Sequence, residues 1–499
     1  MAEAETLASL GGVALFLAAG MGIIRLLPGL RALPWAERLA YAYLLGIAWV
    51  AGSLYALSHA FNVPLRRPAI LAMILAPVLT GLFLARPARP RTLPARRRSS
   101  RAVFWVVLLV AAAVSAGLMA EALTNPLRDW DGRMTWAVQA RWIHAEGTVD
   151  ARVLREPWWF VTHPQYPVLM PLAQVVELEL FRLGDDAHVY RALYAAFLPA
   201  FLALLYGGAR RYLPGRVGGT AAALTVLTAV VLPFLTFFPG GGAVSAYSDL
   251  PLACFYGGAL LLLLRPRPGR SEAVAAGLLL GAAALAKNEG APLALTALLL
   301  AGGAALWRRR RPGWRRRLAP VAIAAVPVLL ALALLVSWRS DIPNRFDEEY
   351  DKLISAETLW PEVVTRLPWL VPKILEQMLK REDWSIFWMI TPVVFLAGWR
   401  GLRRRVAPPL ALAALAPLGV AWLALTVSLV AELLVSTAWN RFLVQASLPF
   451  FLLFAFALDD LIRRAALSRS RPRSPRRSAG TDPAGAASSG APDLPPESG

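Results

Sequence analysis

The stretch Tyr166-Pro-Val-Leu-Met-Pro-Leu-Ala-Gln-Val-Val176, followed at once by Glu177 and Glu179, decides how this chain is threaded. It reads as a helix, but its eleven apolar residues fall short of the roughly 20 that a membrane crossing needs. Two carboxylates at bilayer depth would add a further desolvation cost. The segment is therefore expected to be an interfacial or partly embedded helix, not a span. Counted as a span, it would also move Arg210, Arg211 and Arg216 to the opposite side from the other arginine clusters.

Working outward, apolar runs of near-spanning length recur near 8–28, 38–60, 68–85, 102–122, 190–208, 218–238, 248–265, 271–287, 291–307, 318–338, 384–399, 408–430 and 442–462. The expected fold class is an all-α polytopic membrane protein with about 13 transmembrane helices. Dense arginine runs lie at Arg86 to Arg101, Arg308 to Arg317 and Arg463 to Arg477, with smaller ones at 210–216, 265–270 and 400–405. With the N-terminus outside, all of them fall on the cytoplasmic side. The formal charge of +20 then divides into +27 inside and −7 outside. It is a sided charge that orients a bundle, not the footprint of a nucleic-acid partner.

Composition closes other classes. Hydrophobic residues make up 57% of the 499, and charged residues only 17%. That is too apolar for a soluble enzyme or a coiled coil. Cys254 is the single cysteine, so an intrachain disulfide scaffold is excluded and the thiol is read as packing. Glu3 and Glu5 replace the basic start of a signal peptide, so the first apolar run is expected to be retained. No internal repeat, Walker-type loop, HExxH or CxxC occurs. The domains expected are 1–101, three helices and a basic cytoplasmic loop, and 102–462, the core. Residues 463–499 read as a disordered basic tail. The core holds two larger outer loops, 123–189 and 339–383, each with interfacial helices.

Polar residues at helix ends mark the chemistry. The first outer loop opens with Asn125-Pro-Leu-Arg-Asp129-Trp-Asp131-Gly-Arg133, and Trp130, Trp136 and Trp142 surround the two aspartates. A carboxylate in a partly dry site can be a base for a hydroxyl or hold a divalent ion. Further along come His163-Pro-Gln-Tyr166-Pro167, Arg191, Ser248-Asp249, Lys287-Asn288-Glu289-Gly290 and Asn440-Arg441. The arginine clusters set the topology, yet all these positions fall on the other, outer face. Lys287 is one of only 4 lysines, and with Arg441 it suits a phosphate, as a point charge and a forked donor. The Asp347-Glu-Glu-Tyr-Asp351 run of the second loop reads as a solvated face.

In this order the motifs resemble the GT-C class of integral-membrane glycosyltransferases, in particular bacterial proteins related to protein O-mannosyltransferases and lipid A aminoarabinose transferases. The matching elements are Asp131 with Asp129, His163-Pro-Gln-Tyr-Pro167, Arg191, Ser248-Asp249, Lys287-Asn-Glu-Gly290, and Arg441 followed by Pro449, over roughly residues 100–460. The chain departs from the family in having Asp-Trp-Asp-Gly for the acidic pair, so either aspartate is the base. It also lacks a lysine near His163 and Gln165, and has three extra spans before the acidic loop. The resemblance implies a GT-C-like core at the plasma (inner) membrane, with a polyprenyl-phosphate-linked sugar donor and transfer on the outer face to a glycan, lipid or protein. It implies Asp131 as base with Asp129 as helper or metal ligand, and Lys287 and Arg441, then Arg191 and His163, on the lipid phosphate. Asp249, Tyr166, Glu289 and Asn288 would contact substrate. No cofactor is required, although Asp129 and Asp131 would be the ligands of any Mg2+ or Mn2+. The alternatives are a carrier or flippase for lipid-linked glycans and a non-catalytic membrane subunit. A carrier would place its charges at mid-bilayer in paired broken helices.

Overall fold

The computed structural model describes residues 2–84, 101–182, 191–236, 242–265, 268–307, 314–342, 356–404, 406–428 and 431–470; the acidic run 347–351 and residues 471–499 of the tail lie outside them. Among the described residues the chain is helical, with no strand. The helices that matter below are α1 (Ala2–Leu26), α2 (Trp35–Phe61), α3 (Arg67–Phe83), α4 (Arg101–Thr124), α5 (Val138–Glu146) and α6 (Leu169–Phe181). They continue as α7 (Arg191–Tyr212), α8 (Gly215–Val230), α9 (Asp249–Leu263), α10 (Arg270–Ala286) and α11 (Gly290–Leu306). The last are α12 (Trp314–Arg339), α13 (Ala356–Leu379), α14 (Phe387–Ala397), α15 (Ala407–Val427) and α16 (Ala431–Ser470).

Seven of these, α1, α2, α4, α7, α12, α15 and α16, have the length and apolarity to cross a membrane. Five more, α3, α8, α9, α11 and α14, are apolar but shorter. The 15 residues of α9 reach only about 23 Å at 1.5 Å per residue.

Three segments differ from the sequence reading. The run expected as a span at 384–399 is shortened at both ends, because Ser385 takes a positive φ (53°) and α14 stops before Gly398, keeping only 11 residues. Hydropathy registers the apolar side chains there and not the backbone turn. Arg441 does not head its helix. It lies well inside α16, a 40-residue helix that also carries residues 463–470 of the expected disordered tail. Finally, α6 is not half-exposed at an interface. Every residue from Leu169 to Leu178 is buried, among α1, α2, α3 and α5. Its two carboxylates have opposite fates. Glu179 bonds His144 Nε2 at 3.0 Å and accepts weakly from the Arg67 backbone N–H at 3.4 Å. Glu177 is fully buried, with neither oxygen hydrogen-bonded among the described residues.

Burial pushes the Glu177 carboxyl well above the usual range, because the charged form loses its hydration and gains no partner. Its neutral form therefore persists in the folded protein at a pH where the unfolded chain ionises. Folding stability falls as pH rises above the ordinary glutamate value of about 4.3. Glu177→Gln imitates the neutral form, so its melting temperature in detergent is expected to exceed that of the parent by a margin that widens from about pH 5 to about pH 8. A margin independent of pH would contradict this account.

Two ends of the bundle differ in charge. At one end Arg211 pairs with Glu37 (2.6 Å), Arg265 with Glu272 (2.6 Å) and Arg463 with Asp459 (3.0 Å), and Arg404 pairs with Asp459 as well. Arg211 also donates to the Leu261 carbonyl, near the last turn of α9. The first residue of that helix is Asp249, so the other end lies about 18 Å away. In the second long loop, α13 buries Leu370 and Ile374 and leaves Trp360, Val364, Leu367, Val371 and Leu375 exposed. This apolar stripe at helical spacing fits the expected helix of that loop.

Candidate functional site

The site is assembled where four parts of the chain meet. Asp249 opens α9. Lys287 follows the last residue of α10 in extended backbone (φ −162°), and the turn to α11 closes with Gly290 N–H on the Lys287 carbonyl at 2.9 Å. A Cβ on Gly290 would fall 1.7 Å from the Ala283 carbonyl oxygen, so only glycine permits so tight a turn. Arg441 and Gln445 stand one turn apart on α16. Asp131 heads a turn of π-helix, Gly132–Ala137, that leads into α5.

These side chains form one ion-pair cluster. Lys287 Nζ lies 2.7 Å from Asp249 Oδ1 and 3.1 Å from Glu289 Oε1. Arg441 Nε donates to Asp249 Oδ2 at 3.0 Å and its Nη1 to Asp131 Oδ2 at 2.6 Å. Gln445 Nε2 supplies a third donor to Asp249, at 2.7 Å from Oδ1. Asp249 is fully buried and saturated by three donors. Asp131 keeps 17% side-chain exposure and takes one of these bonds. Two cations thus face three carboxylates in a nearly dry setting, where such attractions are far stronger than in water.

Tyr247 braces the cluster from below. The Arg441 guanidinium sits 4.6 Å from its ring centroid, a cation–π contact. The Tyr247 hydroxyl accepts the Asp131 backbone N–H at 3.1 Å. Burial pushes the Tyr247 phenol well above its usual range, so it stays a neutral hydroxyl. The loops of Asp131 and Tyr247 touch through Gly132, where a Cβ would lie 2.3 Å from the Ser245 carbonyl oxygen. This gives the glycine of Asp-Trp-Asp-Gly a steric reason.

Arg191, expected to reach a phosphate, donates to backbone and lies 3.5 Å from Glu121 Oε1. Its Nε donates to the Val244 carbonyl at 2.7 Å, and its Nη1 to those of Asn125 and Pro126 at 2.8 and 3.2 Å. It ties the loop before Asp129 to the loop before Tyr247 and is a positioning residue. Lysine cannot fork to three carbonyls. Arg191→Lys is expected to cost about 1–3 kcal/mol of stability by leaving buried carbonyls unpaired, read as a lower melting temperature in detergent. An unchanged melting temperature would remove the bridging role.

The remaining expected residues divide. Glu289 belongs to the cluster through Lys287. The Tyr166 ring stacks on His163 at 4.5 Å and tilts against Trp136 at 5.6 Å. His163 adopts a left-handed backbone (φ 50°), and its carbonyl accepts Gln139 Nε2 at 2.8 Å. Asn288 is turned to Arg339, whose Nη1 lies 3.4 Å from its Oδ1. Asp129 is partly exposed, and its charge acts on both Arg191 and Tyr247.

Sequence reasoning missed Gln445 and Tyr247, and also Asp383 and Trp384. Asn440 donates to Asp383 and accepts Trp384 Nε1 at 3.0 Å, so the end of the second loop docks beside Arg441. It missed a second polar cluster too. His59 Nδ1 lies 3.1 Å from Asp150 Oδ1 and its Nε2 3.0 Å from Ser337 Oγ. The order matches a nucleophilic triad. Ser337, however, lies inside α12, where the neighbouring N–H groups serve the helix and form no oxyanion hole. The cluster ties α2, the first loop and α12 together. For a divalent ion, no group of three or more His, Cys, Asp or Glu side chains suited to a metal occurs among the described residues, and the Asp131 carboxylate is already bonded to Arg441.

Comparison with family models, with curated proteins and with solved structures gives no match to this chain.

Proposed function

We propose that this chain is a membrane glycosyltransferase that moves a sugar from a polyprenyl-phosphate donor to an acceptor hydroxyl of a glycan, lipid or protein. The observation that carries the reading is the convergence of Asp131, Asp249, Lys287 and Arg441, from sequence positions up to 310 apart, at the end of the bundle remote from the arginine belt. In this reading the chain crosses the plasma membrane about 13 times, with the arginine belt in the cytoplasm and the cluster outside. The stripe of α13 lies in the outer interface.

The chemistry is an inverting displacement. The acceptor hydroxyl proton passes to Asp131, the more exposed carboxylate of the cluster, as the acceptor oxygen bonds to the anomeric carbon. The bond from that carbon to the phosphate oxygen breaks, and its electron pair stays on the departing lipid phosphate. Lys287 and Arg441 meet that charge as it develops. Asp249 is saturated by three donors and serves as the counter-ion that aims both cations. Tyr166, Glu289 and Asn288 border the substrate, and Asp129 assists on the same loop. A soluble nucleotide is unnecessary because the leaving group is the lipid phosphate.

The test is covalent transfer by the purified protein in detergent, with a labelled polyprenyl-phosphate sugar and a membrane extract as acceptor. A new labelled product supports the enzyme. Movement of the donor across vesicle bilayers without any product would favour the carrier reading, since detergent allows chemistry and abolishes transport.

A further inference from the structure

We propose that Arg441 is an exchangeable clasp: it holds Asp131 in the resting protein, and the donor's phosphate displaces that carboxylate and so delivers it to the acceptor. The inference rests on the transfer reading above and adds an order of events to it. Two cations already face three carboxylates, so a further anion cannot simply be added without like-charge repulsion. It must replace one of them. On Arg441 the replaceable one is Asp131, which is 17% exposed and held through a single oxygen by Nη1; Glu289, 14% exposed, is held by Lys287 instead. Asp249 is inaccessible and triply bonded.

The exchange leaves the clasp aimed. Arg441 stays anchored by Nε to Asp249 and by its face to the Tyr247 ring. Its Nη1–Nη2 edge then presents the two parallel donors that a phosphate takes bidentately. The Asp131 backbone also stays in place, because its N–H is held by the Tyr247 hydroxyl. Only the side chain swings. The carboxylate is thereby kept from an acceptor, or from water, until a donor is seated.

The experiment measures binding of polyprenyl phosphate, the spent donor, to the purified full chain in detergent. Asp131→Asn removes the competitor for Arg441 and is expected to tighten binding about tenfold. Asp383→Asn removes an equal charge from the loop that docks beside Arg441, where the carboxylate accepts from Asn440, and is expected to leave binding within about twofold. The Asp131→Asn gain should vanish in an Arg441→Gln background, as a double-mutant cycle requires of a direct competition. Equal tightening by both aspartate variants, or a gain that survives Arg441→Gln, would mean plain charge repulsion and would overturn the clasp. So would the absence of any gain. Failure of the underlying reading is seen separately, as a parent protein that yields no labelled transfer product.

Discussion

Asp131→Asn is expected to lower sugar transfer by about 10²–10⁴-fold, the range that a positioned general base contributes, while the protein remains folded. Asparagine keeps the shape of the side chain but has no basic oxygen for the acceptor's proton. The structural cost should be small, because the residue is 17% exposed and gives up one bond to Arg441. Initial rates at equal amounts of extracted protein check the first statement, and melting temperatures check the second. A rate within about twofold of the parent would take the base away from Asp131 and leave Asp129 as its place on that loop.

Asp249→Ala has the larger expected effect on stability. Its carboxylate is fully buried and accepts from Lys287, Arg441 and Gln445. Removing it takes the one fully buried partner from both Lys287 and Arg441 and leaves them only the partly exposed Glu289 and Asp131, and breaking a buried pair by deleting one partner costs about 3–5 kcal/mol. The melting temperature in detergent should fall sharply, and transfer should fall with it. Adding Lys287→Met to Asp249→Ala takes away one of the buried charges that lost its main partner and should recover part of the loss, since buried partners removed together cost less than one removed alone. If the double variant melts no higher than Asp249→Ala, the destabilisation does not come from the lysine's lost partner.

The members of the cluster were legible in the sequence because charge is scarce where they sit. Lys287 and Asp249 interrupt apolar runs, and Arg441 lies opposite the side favoured by the other arginines. Their pairing was not legible. Asp131 and Arg441 lie 310 residues apart, and nothing in local spacing says that the arginine reaches two carboxylates at once. Gln445 had a local signal, the i,i+4 spacing to Arg441 that places both on one helix face. Tyr247 had a weaker one, two residues before Asp249. The backbone partners of Arg191 were not legible either, because carbonyls carry no mark in a sequence.

The fold divides in a similar way. Apolar periodicity and length correctly marked an all-helical chain with several segments able to cross a membrane. The turn at Ser385 was hidden because it is a backbone conformation at the edge of an apolar run. The burial of α6 was hidden for another reason. Glu177 reads as a charge that should seek water, and only the packing of α1 and α2 around it makes a neutral carboxyl the lower-energy form.

The most direct measurement of the central claim is the lipid-linked sugar content of cells lacking this protein. The account predicts that a single polyprenyl-phosphate sugar accumulates, that its sugar disappears from one envelope glycan, lipid or protein, and that the parent gene restores both while the Asp131→Asn gene does not. Unchanged polyprenyl-phosphate sugars together with an unchanged envelope would contradict it.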